Sequence, residues 1–387
     1  MEPKTSETPV ALIMGVTGMA GFSLAEALKD PAALGGPWKV LGAARRQTPP
    51  WFPPSLLDSY ISFDALDTKD THHSLSPISD QVTHLFWVAL QVGPNEDTDI
   101  SSNSTMLKNV LTTLTSSTPS SRLRHISLLT GTKHYMGPFD DPAFYPKSRA
   151  IPLELPFREG TARLPYPLFY YSLEDLIASY SPKLTWSVHR SSIIIGASSR
   201  SIYNTLLTLV VYALICRREG FQFRFPGTRY TWEHFCDVTD AGLLARHQIW
   251  AATSDGAKNQ AFNCTNGDVF TWKSFWGVFA EMFGLEAVAP VDGYGDDDDV
   301  GGFNWVGEME KKGGVWDSIV RENGLVETKL EEIACFGVLN TVLHFRFQHV
   351  SSMNKSREFG FLGYVDTLKS LRSWVERLRE MNIIPKI

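Results

Sequence analysis

Short apolar runs and longer amphipathic stretches take turns along the first half of the chain. Val10–Met14 is almost unbroken in apolar residues, the pattern of a strand buried on both faces, and Ser23–Leu28 after it reads as a helix. Further strands are expected in Trp38–Arg46, Ser59–Asp67, Val82–Leu90, Leu123–Gly131 and within Thr185–Gly196. Thr105–Leu114 carries apolar residues at helical spacing. Strands alternating with helices argue for parallel βαβ units, hence an α/β fold with a Rossmann-type doubly wound parallel sheet.

After about residue 197 the pattern becomes mostly helical, with Ala241–Ala252, Trp272–Met282 and Thr367–Met381 as helices and Ala261–Gly267 as an extended piece. Residues 1–196 are therefore expected to bind a dinucleotide. Residues 197–387 are expected to form a smaller, mainly helical substrate-binding portion, with one or two returns to the sheet. Thr205–Cys216 is apolar but too short to cross a bilayer. It reads as a buried helix or as the contact helix of a homodimer. Asp292–Trp305 contains the run Asp296–Asp299. Uninterrupted aspartates lack the spacing of a calcium loop, so this stretch reads as a solvated loop and no metal site is expected.

Composition narrows the function. Of 387 residues, 43% are hydrophobic and 20% charged, an ordinary globular balance. The net charge of −6 argues against nucleic acid or an anionic membrane surface as partner. Cys216, Cys236, Cys264 and Cys335 are scattered without CxxC spacing, which excludes a zinc ribbon and a dense disulfide framework. The polar N-terminus lacks the apolar core of a signal peptide, so a cytoplasmic location is expected. Aromatic residues make up 12%, which suits a pocket for a flat or apolar small molecule.

Candidate chemistry begins at Gly15, Gly18 and Gly21, placed between the first strand and the first helix. Gly15 allows a sharp turn, Gly18 a close approach to a diphosphate, and Gly21 tight packing of helix on sheet. The helix N-terminus adds unpaired N–H groups and a partial positive charge. The second strand ends in Arg45 and Arg46 rather than an acid, which points to the 2′-phosphate of NADP(H). Asp64, after the third strand, is placed to accept a hydrogen bond from the adenine amino group. The YxxxK pair of short-chain dehydrogenases is missing: four residues after Tyr170 stands Glu174, and four after Tyr171 stands Asp175. Lys133, just past the fifth strand, lies where ligands sit in open α/β sheets.

The segments GVTGMAG, GAARR, TGTKHYMGPF, FYYSLED, WSVHR and AFNCTNGDVFTWKSFW, in this order, resemble the progesterone 5β-reductase/iridoid synthase family of atypical short-chain dehydrogenases. The resemblance runs from about residue 10 to the C-terminus. It implies NADPH-dependent 1,4-reduction of an enone or enal, with Lys133 and Tyr171 as the catalytic pair. It further implies cofactor contacts at Gly15, Thr17, Gly18, Met19, Gly21, Arg45, Arg46, Asp64 and Ala65, the nicotinamide carboxamide near Ile194, and Phe139 in the substrate pocket. HRSSIIIGASS and RYTWEHFCDVTD depart from the family pattern, which leaves the substrate open. Carbonyl 1,2-reduction, a non-redox cyclase or isomerase and a non-catalytic dinucleotide sensor are the competing readings.

Overall fold

Val10–Met14 forms strand β1, buried at every position in the computed structural model, which describes residues 8–116, 121–137, 153–290 and 304–386. The chain then adds β2 (Lys39–Ala44), β3 (Ser59–Ser62), β4 (His84–Trp87), β5 (His125–Gly131) and β6 (Thr185–Ser191). A short β7 (Ile193–Ile195) pairs in parallel with β8 (Val238–Asp240), outside the main sheet. Strand β9 (Gln260–Cys264) returns to the main sheet and lies alongside β6. The main sheet has seven parallel strands in the order β9-β6-β5-β4-β1-β2-β3. The chain runs outward from β1 through β2 to β3 on one side, then crosses back to β4 on the other side of β1. The carboxyl ends of β1 and β4 therefore flank a topological switch point, where doubly wound sheets bind ligands.

Helices cover both faces of the sheet. They include α1 (Met19–Lys29), α2 (Glu96–Ser116), the single turn α3 (Lys133–Met136), α4 (Phe169–Ala178) and α5 (Thr205–Glu219). Next come α6 (Ala241–Thr253), α7 (Trp272–Phe283) and α8 (Thr367–Glu380). α2 starts nine residues ahead of its expected apolar stretch. Its first turn is acidic, with Glu96, Asp97 and Asp99, which suits the positive end of the helix dipole but hides the apolar periodicity.

The third strand stops at Ser62, short of the expected Asp67. Asp64 accepts the N–H of Leu66 at 3.0 Å, and Asp67 caps the next helix by accepting from the N–H groups of Lys69 and Asp70. The expected sixth strand breaks at Ser192, whose N–H donates to Thr239 Oγ1 at 2.9 Å and turns the chain toward β8. Thr205 to Cys216 of α5 is buried throughout within this single chain, packed in the main core. That helix is already enclosed, which corrects its reading as a subunit contact. Among the described residues, no helix is long and apolar enough to cross a membrane. Phe139 and Asp296–Asp299 lie outside the described residues.

Candidate active site

A cleft of about 410 Å³ opens over the carboxyl ends of the strands. The glycine turn forms its floor. Gly15 has φ +91°, and a Cβ there would lie 2.9 Å from the Ala89 backbone. A Cβ on Gly21 would lie 2.3 Å from the Gly15 carbonyl oxygen. Both positions thus require glycine. Gly18 is the N-cap of α1 and offers no side-chain acceptor, so the first-turn N–H groups of the helix face the cleft. The exception is Met19 N–H, which donates to Ser201 Oγ at 2.8 Å. This backbone cradle fits a dinucleotide diphosphate.

Gly15, Thr17, Gly18, Met19, Gly21, Asp64, Ala65 and Ile194 all line this cleft, together with Arg45 and Arg46. A third arginine, Arg200, joins them. Burial and the neighbouring Arg200 guanidinium both pull Arg46 below its usual pKa. Among the described residues, none of Arg45, Arg46 and Arg200 forms an ion pair. The Arg46 carbonyl is held by the Tyr60 hydroxyl, and Arg45 Nη1 donates to Gln91 Oε1 at 3.3 Å. Three guanidiniums with no carboxylate at ion-pair distance, Glu332 acting on Arg46 only from farther away, suit a dianionic phosphate. Arg200 was not singled out from sequence, because it stands more than 150 residues from the other two.

At the far end, Lys133 lines the cleft beside the end of β5. Its ammonium donates to Glu96 Oε2 at 2.5 Å, and Glu96 Oε1 accepts the N–H of Phe169, the first residue of α4, at 2.7 Å. Glu96 thereby ties Lys133 to the helix that carries both tyrosines. The tyrosine facing the cleft is Tyr170, not Tyr171. The Tyr170 hydroxyl sits 3.2 Å from where a Cβ on Gly131 would stand. Tyr171 points elsewhere: its hydroxyl donates to the His134 carbonyl at 2.6 Å and accepts the N–H of Leu164 at 3.0 Å. Lys133 thus shares the cleft with Tyr170, while the hydroxyl of Tyr171, the expected partner, is engaged away from it.

The reason is helical rotation. Tyr170 and Leu173 line the cleft and pack with Ile177 in the core, whereas the Tyr171 ring turns about 100° away, against His134 and Arg163. Glu174 sits in a buried network with His134, Arg163 and Arg190. Burial alone would raise its carboxyl, but His134 and Arg190 hold it down to about 2. Burial raises the Tyr170 phenol above its usual pKa, and Tyr203, Glu96 and Asp99 push the same way. Tyr170 is thus a protonated hydrogen-bond donor at neutral pH.

The sequence pattern of the PRISE-like Rossmann-fold domain matches residues 62–385. The chain belongs to that family. It is 46% identical to an (S)-8-oxocitronellyl enol synthase of Camptotheca acuminata, over 97% of this chain and 93% of the relative. It is 42% identical to a 3-oxo-Delta(4,5)-steroid 5-beta-reductase of Arabidopsis thaliana, over 99% of this chain and 95% of the relative. Among solved structures, the UDP-glucose 4-epimerase of Thermus thermophilus in complex with NAD is similar in fold, with a TM-score of 0.62 and 14% identity over 96% of this chain and 99% of that one. The PRISE-like chain is accordingly an enzyme of the oxidoreductase class, built on an extended dinucleotide-binding fold.

Proposed function

We propose that this PRISE-like protein catalyses NADPH-dependent 1,4-reduction of an enone or enal carried on a small, largely apolar metabolite. The observation that carries this reading is the convergence of Lys133 and Tyr170 on the same cleft as the glycine turn and the three arginines. The relatives' names agree, since one is a steroid 5-beta-reductase. Arg45, Arg46 and Arg200 would hold the 2′-phosphate, the N-terminus of α1 the diphosphate, and the strand leading through Ile194 the nicotinamide. When bound there, the reduced nicotinamide would supply a hydride to the β-carbon.

The protein's own part is electrostatic. Negative charge develops on the substrate oxygen, and groups that meet it more strongly in the transition state than in the ground state accelerate the step. Tyr170 donates its O–H to that oxygen. Lys133 adds positive charge beside it, and Glu96 fixes the ammonium's position. A donor of this kind contributes on the order of 2.7–4 kcal/mol. The YxxxK lysine is dispensable because the phenol acts as a hydrogen-bond donor with its proton retained by burial, so its pKa need not be lowered.

The test is reduction of 2-cyclohexen-1-one and of cyclohexanone with NADPH deuterated at the transferable position. Label at the β-carbon of cyclohexanone product supports the proposal. Label at the carbinol carbon with the double bond intact assigns carbonyl 1,2-reduction instead. Product without label points to a non-redox reaction.

A further inference from the structure

One wall of the cleft carries a chain of buried polar groups that this mechanism leaves unused. Thr132, at the end of β5, and His349 both line the cleft. Thr132 Oγ1 lies 2.8 Å from His349 Nε2. On the other side of the ring, His349 Nδ1 is 3.4 Å from Ser192 Oγ and 3.8 Å from Asp237 Oδ1. His349 is 3% exposed and Asp237 1%. Asp237 Oδ2 accepts the N–H of Ser351 at 2.6 Å, whereas Oδ1 is buried without a hydrogen-bond partner.

Burial explains the protonation of this pair. It raises the Asp237 carboxyl to about 7 and lowers His349 to about 4, so near neutrality about half of the carboxyl is protonated and the ring is neutral. Ser192 Oγ donates to the Asp237 carbonyl at 2.9 Å, and assigning the ring hydrogen to Nε2, toward Thr132, leaves the Nδ1 lone pair 3.8 Å from the orphan oxygen of Asp237. An acid buried behind a neutral imidazole, whose other nitrogen meets a threonine that lines the cleft, is placed as a proton store for the cleft.

We propose that Thr132, supplied by Asp237 through His349, delivers a proton to the substrate's α-carbon, so that the reaction ends at the saturated carbonyl compound rather than at its enol. This rests on the 1,4-reduction proposed above. The names of the relatives divide along the same line, since some are enol synthases and one is a reductase. The proton count closes. After the hydride reaches the β-carbon, the former double-bond electrons lie on the enolate. The α-carbon forms a C–H bond with the proton of the Thr132 hydroxyl. His349 Nε2 returns a proton to Thr132, and Asp237 gives its own to Nδ1. The ring remains neutral, the negative charge passes from enolate to Asp237, and water restores the carboxyl when product leaves.

Two measurements in D2O test this. Reduction of 2-cyclohexen-1-one is expected to place α-deuterium on one face of the product. Cyclohexanone with the oxidised cofactor, where no turnover occurs, is expected to exchange the α-hydrogen of that same face. Thr132→Val and Asp237→Asn should slow this exchange by about a hundredfold and scatter α-deuterium over both faces, as loss of a positioned acid–base group does. Thermal melting identifies any variant that fails to fold, and His349→Gln then replaces it. Single-faced α-deuteration retained in the folded variants overturns the proposal, as does an enol released by the wild type. The β-carbon label from deuterated NADPH reads the reductase assignment separately. If that label is missing, the cyclohexanone exchange still decides for or against Thr132.

Discussion

At one end of the cleft the groups that would meet a ligand are mostly main chain: the Gly15–Gly21 turn and the first-turn N–H groups of α1. At the other end they are side chains held by partners far away in sequence. Glu96 reaches Lys133 across 37 residues, and His349 reaches Thr132 across 217. The first arrangement is set by backbone conformation and tolerates varied surroundings. The second depends on several distant segments being packed at once, and a small rotation of one helix exchanges which residue faces the substrate. On the proposed reading, cofactor binding in this chain rests on the rigid local element, while the reaction and its product rest on the assembled one.

The sharpest way to break this contrast is the tyrosine pair. Tyr170→Phe is expected to lower turnover by about a hundredfold to a thousandfold, while NADPH binding, read by fluorescence titration, stays near wild type. Tyr171→Phe removes two hydrogen bonds on the opposite face of α4. Its turnover should stay within about twofold, with a melting temperature lower by a few degrees. Equal kinetic losses in both variants would put both hydroxyls in the reaction and refute the assignment.

Next in size is the arginine cluster. Arg46→Ala and Arg200→Ala should each weaken NADPH by about tenfold to a hundredfold, as loss of a charge-assisted phosphate contact does, and leave NADH nearly unchanged. Equal losses for both cofactors would remove these arginines from the 2′-phosphate. Glu96→Gln is expected to lower turnover by about tenfold with little change in KM for NADPH, because it loosens Lys133 without touching the dinucleotide end. A raised KM with unchanged turnover would mean that Glu96 serves binding instead.

The smallest effect is on stability in mild acid. Burial lowers His84 and His349 to about 4 and His125 and His247 to about 3. These rings are neutral when folded and take up protons near pH 6.5 when unfolded. Stability is therefore undiminished by them above pH 6.5 and declines as pH falls toward their folded values. Asp237 acts in the opposite sense, costing stability as pH rises from near 4 to about 7. Four histidines outweigh one carboxyl, so melting temperature is expected to fall by several degrees between pH 7 and pH 5. A flat or rising profile would contradict their burial as neutral rings.

These regions also differ in how far the sequence discloses them. The glycine turn and the paired arginines stand in one stretch each, and the physics that requires them acts over a few residues, so both were legible. The parallel sheet was legible from its buried apolar runs. Spacing alone does not choose between Tyr170 and Tyr171: Leu173 and Ile177 fall on the face of Tyr170, but Glu174 lies within one turn of both. Arg200, Glu96 and His349 left no local trace, because their roles arise only once separate segments are packed together.

Strand β9 comes from the part of the chain beyond residue 197, yet it seals the flank of β6. A fragment ending at residue 196 would expose a row of unpaired main-chain groups on β6, an invitation to intermolecular sheet growth. Residues 1–196 thus do not close the sheet on their own, and Arg200 of the cleft lies beyond them. If residues 197–387 are the substrate-binding portion, exchanging them between relatives would also replace the outermost ribbon of the sheet.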